Sequence, residues 1–168
     1  MSDNWIYIHE ENKRTRYVLG EKGTSPLICF GINPSTAVPN DLDRTLNKVK
    51  NISKHLKYDG WIMLNLYPLR ETKPDKLPKI MKKDIQERNV EEIEKILNEY
   101  PNADILCAWG TPIKKRKYLK FCLQDIYNNL TNRELKCIDT TKYGHPRHPL
   151  YCKIPNELQT FNIIEYCS

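Results

Sequence analysis

Four short apolar runs alternate with helical patterns along this chain. The runs begin at Leu27, Trp61, Ala103 and Leu135. Each run is bounded by Gly, Pro or polar residues, as expected of buried strands. Between the runs, apolar residues three or four positions apart predict helices over 46–56, 80–100 and 114–130. Ahead of the first run, residues 4–20 alternate loosely around a polar centre, which is typical of a β-hairpin.

The alternation of strands and helices predicts an α/β fold. We expect a single three-layer domain with a mostly parallel, four-stranded central sheet flanked by helices, preceded by the hairpin. A chain of 168 residues is long enough for one domain with its own core. Within residues 1–168 we assign 1–25 to the hairpin extension, 26–152 to the α/β core and 153–168 to a C-terminal tail.

Composition and charge narrow the function classes. Hydrophobic residues make up 39% and no apolar run approaches the ~20 residues of a membrane helix, so we expect no membrane partner. Met1–Asn4 shows no basic-then-apolar signal, which favours a cytoplasmic protein, and we expect a monomer. The six cysteines form no CxxC pair, so we expect reduced thiols, no metal and no cofactor. The net charge of +6 favours a polyanionic partner such as nucleic acid, although solubility alone also explains a Lys-rich surface. Of the nucleic acids, we expect DNA as the partner.

Polar side chains follow each apolar run. They are Asn33 after the first, Asn65 with Arg70 after the second, Trp109 at the end of the third, and His145 with His148 after the fourth. Because the carboxyl ends of parallel strands share one edge of a sheet, these residues are expected to converge. An Asn amide there can read the edge of a nucleobase or satisfy the backbone. For Asn33 the alternative is a plain strand-to-helix turn, in which Asn33 and Ser35 cap the next helix.

At these strand ends the chain resembles the bacterial and phage domain-of-unknown-function family 1643. The shared stretches are 31–37, 43–45, 65–70, 108–110 and 148–151. They extend over most of the chain, but the resemblance implies no assigned activity.

The chain also has a more distant resemblance to the uracil-DNA glycosylase superfamily, which implies a similar fold. Gly31–Pro34 reads Gly-Ile-Asn-Pro, as in the mismatch-specific branch, so the resemblance assigns water positioning to Asn33. Met63-Leu64-Asn65 matches the strand that reads the pyrimidine in another branch, so base reading falls on Asn65. The second glycosylase motif begins His-Pro and donates to the departing base; we prefer His148 to His145. No aromatic residue follows Asn33 to stack on a base, and the cysteines of an iron–sulfur cluster have no counterpart.

The resemblance implies a hydrolase that cleaves the N-glycosidic bond of a uracil-type, damaged or modified base. The expected catalytic residues are Asn33 and His148. The expected substrate-binding residues are Gly31, Ile32, Pro34, Ser35, Asn65, Arg70, Trp109, His145, Arg147 and Tyr151. The expected contacts to the nucleic-acid backbone are Lys114, Lys115 and Arg116, which also fit a solvated helix face. The alternatives are a non-catalytic nucleic-acid-binding module and an enzyme acting on free modified nucleotides.

Overall fold

The computed structural model describes residues 4–168, which form seven strands and four α-helices. The strands are β1 (Trp5–Glu10), β2 (Thr15–Glu21), β3 (Leu27–Gly31), β4 (Trp61–Asn65), β5 (Ile105–Cys107), β6 (Leu135–Cys137) and β7 (Gln159–Thr160). The helices are α1 (Arg44–His55), α2 (Lys83–Glu99), α3 (Tyr118–Leu130) and α4 (Ile163–Cys167). Residues 1–3, on which the expectation about a signal segment partly depends, lie outside the described residues.

All seven strands belong to one mixed sheet in the order β1-β2-β4-β3-β5-β6-β7. The neighbours among β4, β3, β5 and β6 are parallel, whereas β1, β2 and β7 join antiparallel. The α/β class is therefore confirmed, but the sheet has seven strands and not the expected four. The predicted hairpin pairs with β4 instead of standing apart from the sheet. The tail adds β7 beside β6 and continues into α4, neither of which the sequence pattern indicated.

Apolar layers cover both faces of the sheet. On one face, Leu46 and Val49 of α1 pack in the same cluster as Cys29 of β3. On the other face, Ile93 of α2 packs in a cluster with Phe30 of β3 and with residues of α3. Successive residues of β3 thus point to opposite layers, which is why the strand reads as a continuous apolar run.

Two of the three predicted helices begin later than the apolar periodicity predicted. The α2 helix begins at Lys83. The α3 helix begins at Tyr118, because Thr111–Lys115 forms a 3₁₀ turn. The α1 helix begins at Arg44, and its N-cap is Asp43, whose side chain accepts from the Leu46 amide at 2.9 Å. The alternative that Asn33 and Ser35 cap this helix is therefore wrong.

The pairing of β1 with β2 contains one irregularity. Val18 lies opposite Ile8 and Arg16 lies opposite His9, so Tyr17 is an extra residue in β2. Tyr17 and Val18 both pack in the layer of α2 and α3. Such a bulge redirects the side chains that follow it. Arg16 is consequently turned towards the layer that contains α1.

The structure gives two findings on partners and metals. No helix within residues 4–168 is long and apolar enough to cross a membrane. In the same part of the chain all six cysteines are free, and there is no group of three or more His, Cys, Asp or Glu side chains that could hold a metal ion.

Candidate functional site

The carboxyl ends of β3, β4 and β5 open onto one small cavity. Gly31 pairs with Asn65, and the last two residues of β3 accept backbone hydrogen bonds, Gly31 from Leu66 and Phe30 from Ala108, so the three strand ends are tied together. The cavity between them has a volume of about 110 Å³. The start of α1 and the loop that holds His148 complete its wall. We call it the strand-end cavity.

Asn65 is buried in the wall of the strand-end cavity and has a free amide. Its side chain is 1% exposed, and Nδ2 has no hydrogen-bond partner among the described residues. The backbone carbonyl of Asn65, in contrast, accepts from Asn89 Nδ2 at 2.9 Å, so the main chain is fixed. Gly31 makes room beside it, because a Cβ there would lie 3.0 Å from Asn65 Oδ1 and 2.7 Å from Met63 Cε. The arrangement keeps a donor and an acceptor available to a ligand.

Asn33 lines the same cavity and also holds the loop after β4. Its Nδ2 donates to the carbonyls of Pro34, Leu69 and Glu71 at 3.0, 3.3 and 2.9 Å. These three contacts fix the orientation of the amide. Oδ1 makes no hydrogen bond with the described residues, so it is the one polar side-chain atom of Asn33 that remains to contact a ligand or a water molecule.

His148 presents one ring nitrogen to the cavity. Its Nδ1 accepts from the Leu150 amide at 3.2 Å, so in the neutral ring the proton is on Nε2. Burial lowers the pKa of His148, and the nearby Asp43 carboxylate opposes that shift. The ring is therefore neutral at pH 7 and offers an Nε2–H donor. Gly110, with φ 67°, allows the chain after β5 to approach, since its Cβ would lie 3.4 Å from His148 Cβ.

His145 lies in a different cavity from His148. Its Nδ1 lies 2.7 Å from the Tyr166 hydroxyl, which also accepts from Trp109 Nε1 at 3.1 Å. This second cavity, of about 650 Å³, is lined by α3 and by the C-terminal segment. Trp109 is fully buried between the two cavities and lines the first, so it separates the two histidines that the sequence presents as equivalent.

The structure brings together both expected catalytic residues and only some of the expected substrate-binding residues. Those lining the strand-end cavity are Gly31, Ile32, Asn33, Ser35, Asn65, Trp109 and His148. Those outside its lining are Pro34, Arg70, His145, Arg147 and Tyr151. Arg70 instead braces the segment after β3, donating to Ser35 O at 2.6 Å and to the Tyr7 hydroxyl at 2.8 Å. Arg147 pairs with Asp139 at 3.8 Å.

The three expected backbone contacts also differ from one another. Arg116 donates to the carbonyls of Asp75, Leu77 and Pro78, so its guanidinium is held by the protein. Lys115 is exposed, and Lys114 lies 5.9 Å from the centre of the exposed Tyr143 ring. Of the three side chains, only the two lysines are therefore exposed and not held by backbone carbonyls.

Three charged residues that line the cavity, Arg16, Asp43 and Glu71, were missed in the sequence. Arg16 is 2% exposed, and Asp43 reaches the cavity from the N-terminus of α1. Burial lowers the pKa of Arg16 to about 10, and Arg70 adds to that shift whereas Asp43 opposes it. Asp43 lies in a stretch shared with the resembled family, which is a signal that could have identified it. Arg16 gave no such signal, because the bulge at Tyr17 breaks the alternation of β2.

Comparison with known proteins gives one finding. A family model described as "Protein of unknown function (DUF1643)" matches residues 16–150. That range includes five polar cavity residues discussed above: Arg16, Asn33, Asp43, Asn65 and His148. No curated protein and no solved structure matches the chain.

Proposed function

The chain belongs to the DUF1643 family, and we propose that it hydrolyses the N-glycosidic bond of a uracil-type pyrimidine, damaged or modified, in DNA. The observation that carries the proposal is the Asn65 amide, buried without a partner for Nδ2 in the strand-end cavity. An unpaired buried donor costs about 1–3 kcal/mol, a cost that a bound acceptor removes. A uracil-type base offers a carbonyl beside a ring N–H, the complement of an amide's donor and acceptor.

The size of the cavity supports a single-ring base. An engineered protein cavity of about 150 Å³ holds benzene. The strand-end cavity, at about 110 Å³, is smaller than that, so it takes at most one six-membered ring and is too small for the two fused rings of a purine. This favours a pyrimidine that enters by its ring while the sugar stays at the opening.

The polar groups around the cavity suit the charge that develops in the reaction. Cleavage of the bond places negative charge on the departing base, and His148 Nε2–H is a fixed donor for it. One such donor is worth roughly 3–4 kcal/mol of transition-state stabilisation. Asn33 Oδ1 accepts a hydrogen bond from the attacking water and so orients it. An amide is no strong base, so the proton that the water loses passes to the departing base. The reaction would accordingly favour good leaving groups. The distant resemblance to uracil-DNA glycosylases supports the same three roles.

Nucleic acid is the proposed macromolecular substrate because of charge and exposed side chains near the cavity. The net charge is +6, and Lys114 and Lys115 extend from the turn that follows β5. Tyr151 is 79% exposed, and its ring centre lies 5.7 Å from that of His148. It is placed to stack in the helix as a base is flipped out, which costs a few kcal/mol in duplex DNA.

One observation favours a second candidate, a binding module without catalysis. The three carbonyl contacts of Asn33 Nδ2 give this residue a complete structural role in closing the loop after β4. In that case the cavity would bind a flipped base and release it unchanged.

The deciding experiment is a panel of single-stranded and duplex oligonucleotides, each with one modified pyrimidine, assayed for free base and abasic sites. We expect the wild type to release free base from at least one substrate. The Asn33→Ala variant should lose this release and keep its affinity for DNA. Arg70→Met is the matched control, because it loosens the same segment without lining the cavity. Tight binding with no release from any substrate would support the module instead. An unchanged single-turnover rate in Asn33→Ala would remove that residue from the chemistry.

A further inference from the structure

Arg16 is a buried cation whose charge the protein leaves largely uncompensated. Its Nη1 donates to Ala37 O at 3.2 Å, and Nε has no partner. Within residues 4–168 it forms no ion pair at 4.0 Å or less. Buried charges are normally paired, because taking an unpaired charge out of water is expensive.

Two carboxylates, those of Asp43 and Glu71, line the cavity with Arg16, and each accepts a hydrogen bond from a backbone amide. Asp43 Oδ1 accepts from the Leu46 amide and caps α1. Glu71 accepts from the Thr72 amide at the exposed rim. Neither is within ion-pair distance of Arg16, so the guanidinium keeps a free N–H on the wall of the strand-end cavity.

We propose that Arg16 binds an oxyanion of the ligand, which makes the strand-end cavity selective for a charged substrate over neutral uracil. The bulge at Tyr17 supports this, because it turns Arg16 from the layer of α2 and α3 towards the cavity. Asn65 and His148 line the same cavity, and each has a side-chain donor without a partner among the described residues, Nδ2 and Nε2 respectively. A set of three donors with one positive charge matches a ligand rich in acceptors.

Two chemical sources can supply the oxyanion. One is a carboxylate substituent on the pyrimidine ring, and the other is a phosphate group of the nucleotide. That the bound ring is a pyrimidine depends on the proposed function, whereas the oxyanion site depends only on Arg16 and its surroundings.

The test measures binding of small probes to the full chain by calorimetry. The key pair is 5-carboxyuracil and 5-carbamoyluracil, which have nearly the same shape and differ in charge. Uracil and inorganic phosphate complete the set. If the base supplies the oxyanion, 5-carboxyuracil binds the wild type at least about tenfold more tightly than 5-carbamoyluracil, the scale of one charge-assisted hydrogen bond. If the nucleotide supplies it, inorganic phosphate binds and the two uracils do not differ.

Variants then test whether Arg16 causes the preference for carboxylate or for phosphate. Arg16→Met should abolish it, and Arg16→Lys should keep part of it. Arg133→Met is the matched control, because Arg133 is half-buried, donates to three backbone carbonyls and lies outside the cavity lining. A preference that survives in Arg16→Met overturns the proposal. So does a wild type that binds neither the carboxylate nor phosphate more tightly than the neutral probes, a result that needs no variant to fold.

The proposed function and this inference can fail separately. Base release from oligonucleotides without any Arg16-dependent preference would leave the glycosylase function and remove the oxyanion site. Arg16-dependent binding of carboxylate or phosphate without base release would do the reverse.

Discussion

Replacing Asn65 by Leu tests whether its amide is kept for a ligand and not for stability. In the free protein Nδ2 is buried without a partner, at an expected cost of about 1–3 kcal/mol. Leu has the same number and branching of side-chain heavy atoms and no polar group, and Gly31 leaves room beside it for the larger methyl groups. The free energy of unfolding of Asn65→Leu should therefore equal that of the wild type or exceed it by up to about 1–3 kcal/mol.

Gln86→Met is the matched control for this substitution. Gln86 is also a buried amide near the end of β4, but its Nε2 donates to Leu66 O at 3.0 Å. Removing that bond should lower the free energy of unfolding by about 0.5–1.5 kcal/mol. Urea unfolding followed by circular dichroism measures both variants. For a domain of this size the melting temperature should move by about 2–4 °C per kcal/mol.

If Asn65→Leu lowers the free energy of unfolding as much as Gln86→Met or more, the expectation for Asn65 is contradicted. Such a result would show that the Asn65 amide is needed by the folded protein itself. If Asn65→Leu is as stable as expected, it should also lose binding of uracil-type bases, measured by calorimetry. Stable folding with unchanged base binding would place the base elsewhere.

Four further predictions concern the histidines, their surroundings and the basic turn after β5. His148→Ala should slow single-turnover base release about 100-fold or more, and His145→Ala much less; the opposite order would exchange their roles. Because the folded pKa of His148 lies below its unfolded value of roughly 6.5, stability should be unaffected above that pH and fall as the pH drops towards the folded pKa. Asp43→Asn, which keeps the helix cap, should lower the His148 pKa further, as followed by NMR titration; an unchanged pKa would contradict the coupling. Lys115→Ala should reduce the salt dependence of DNA binding by about one unit of slope. Arg116→Ala should instead lower the melting temperature, and a loss of slope without destabilisation would reverse that assignment.

The sequence predicts the centre of this fold better than its margins. The runs at Leu27 and Trp61 are strands buried on both faces, and burial on both faces imposes the continuous apolar pattern that was recognised. The C-terminal β7 could not be predicted, because Gln159 and Thr160 are exposed and their pairing with Lys136 is specified by tertiary contacts alone.

In the candidate site, too, the sequence predicts the residues with a local signal and misses those that tertiary contacts place. Asn33 and Asn65 were identified because a polar residue directly after an apolar strand is conspicuous. The two histidines could not be distinguished in sequence, since both precede proline. In the structure they differ because His145 contacts Tyr166, a residue of the tail that no local pattern connects to His145. Arg16 was missed because local alternation assigns its side chain to the wrong face of the sheet.

The bulge in β2 also has a consequence for comparing members of the family. Residues on one face of a regular strand are an even number of positions apart. Arg16 lies three positions before Leu19, which pairs with Met63 of β4 and packs in the layer of α1. The charge in the cavity thus depends on the bulge as well as on the identity of residue 16. A relative with the same spacing but a regular β2 would direct the arginine into the opposite layer, whereas a relative that lacks a residue at position 17 and pairs regularly would keep it in the cavity. The spacing and the pairing of β2 together should therefore sort family members by the charge of the ligand they accept.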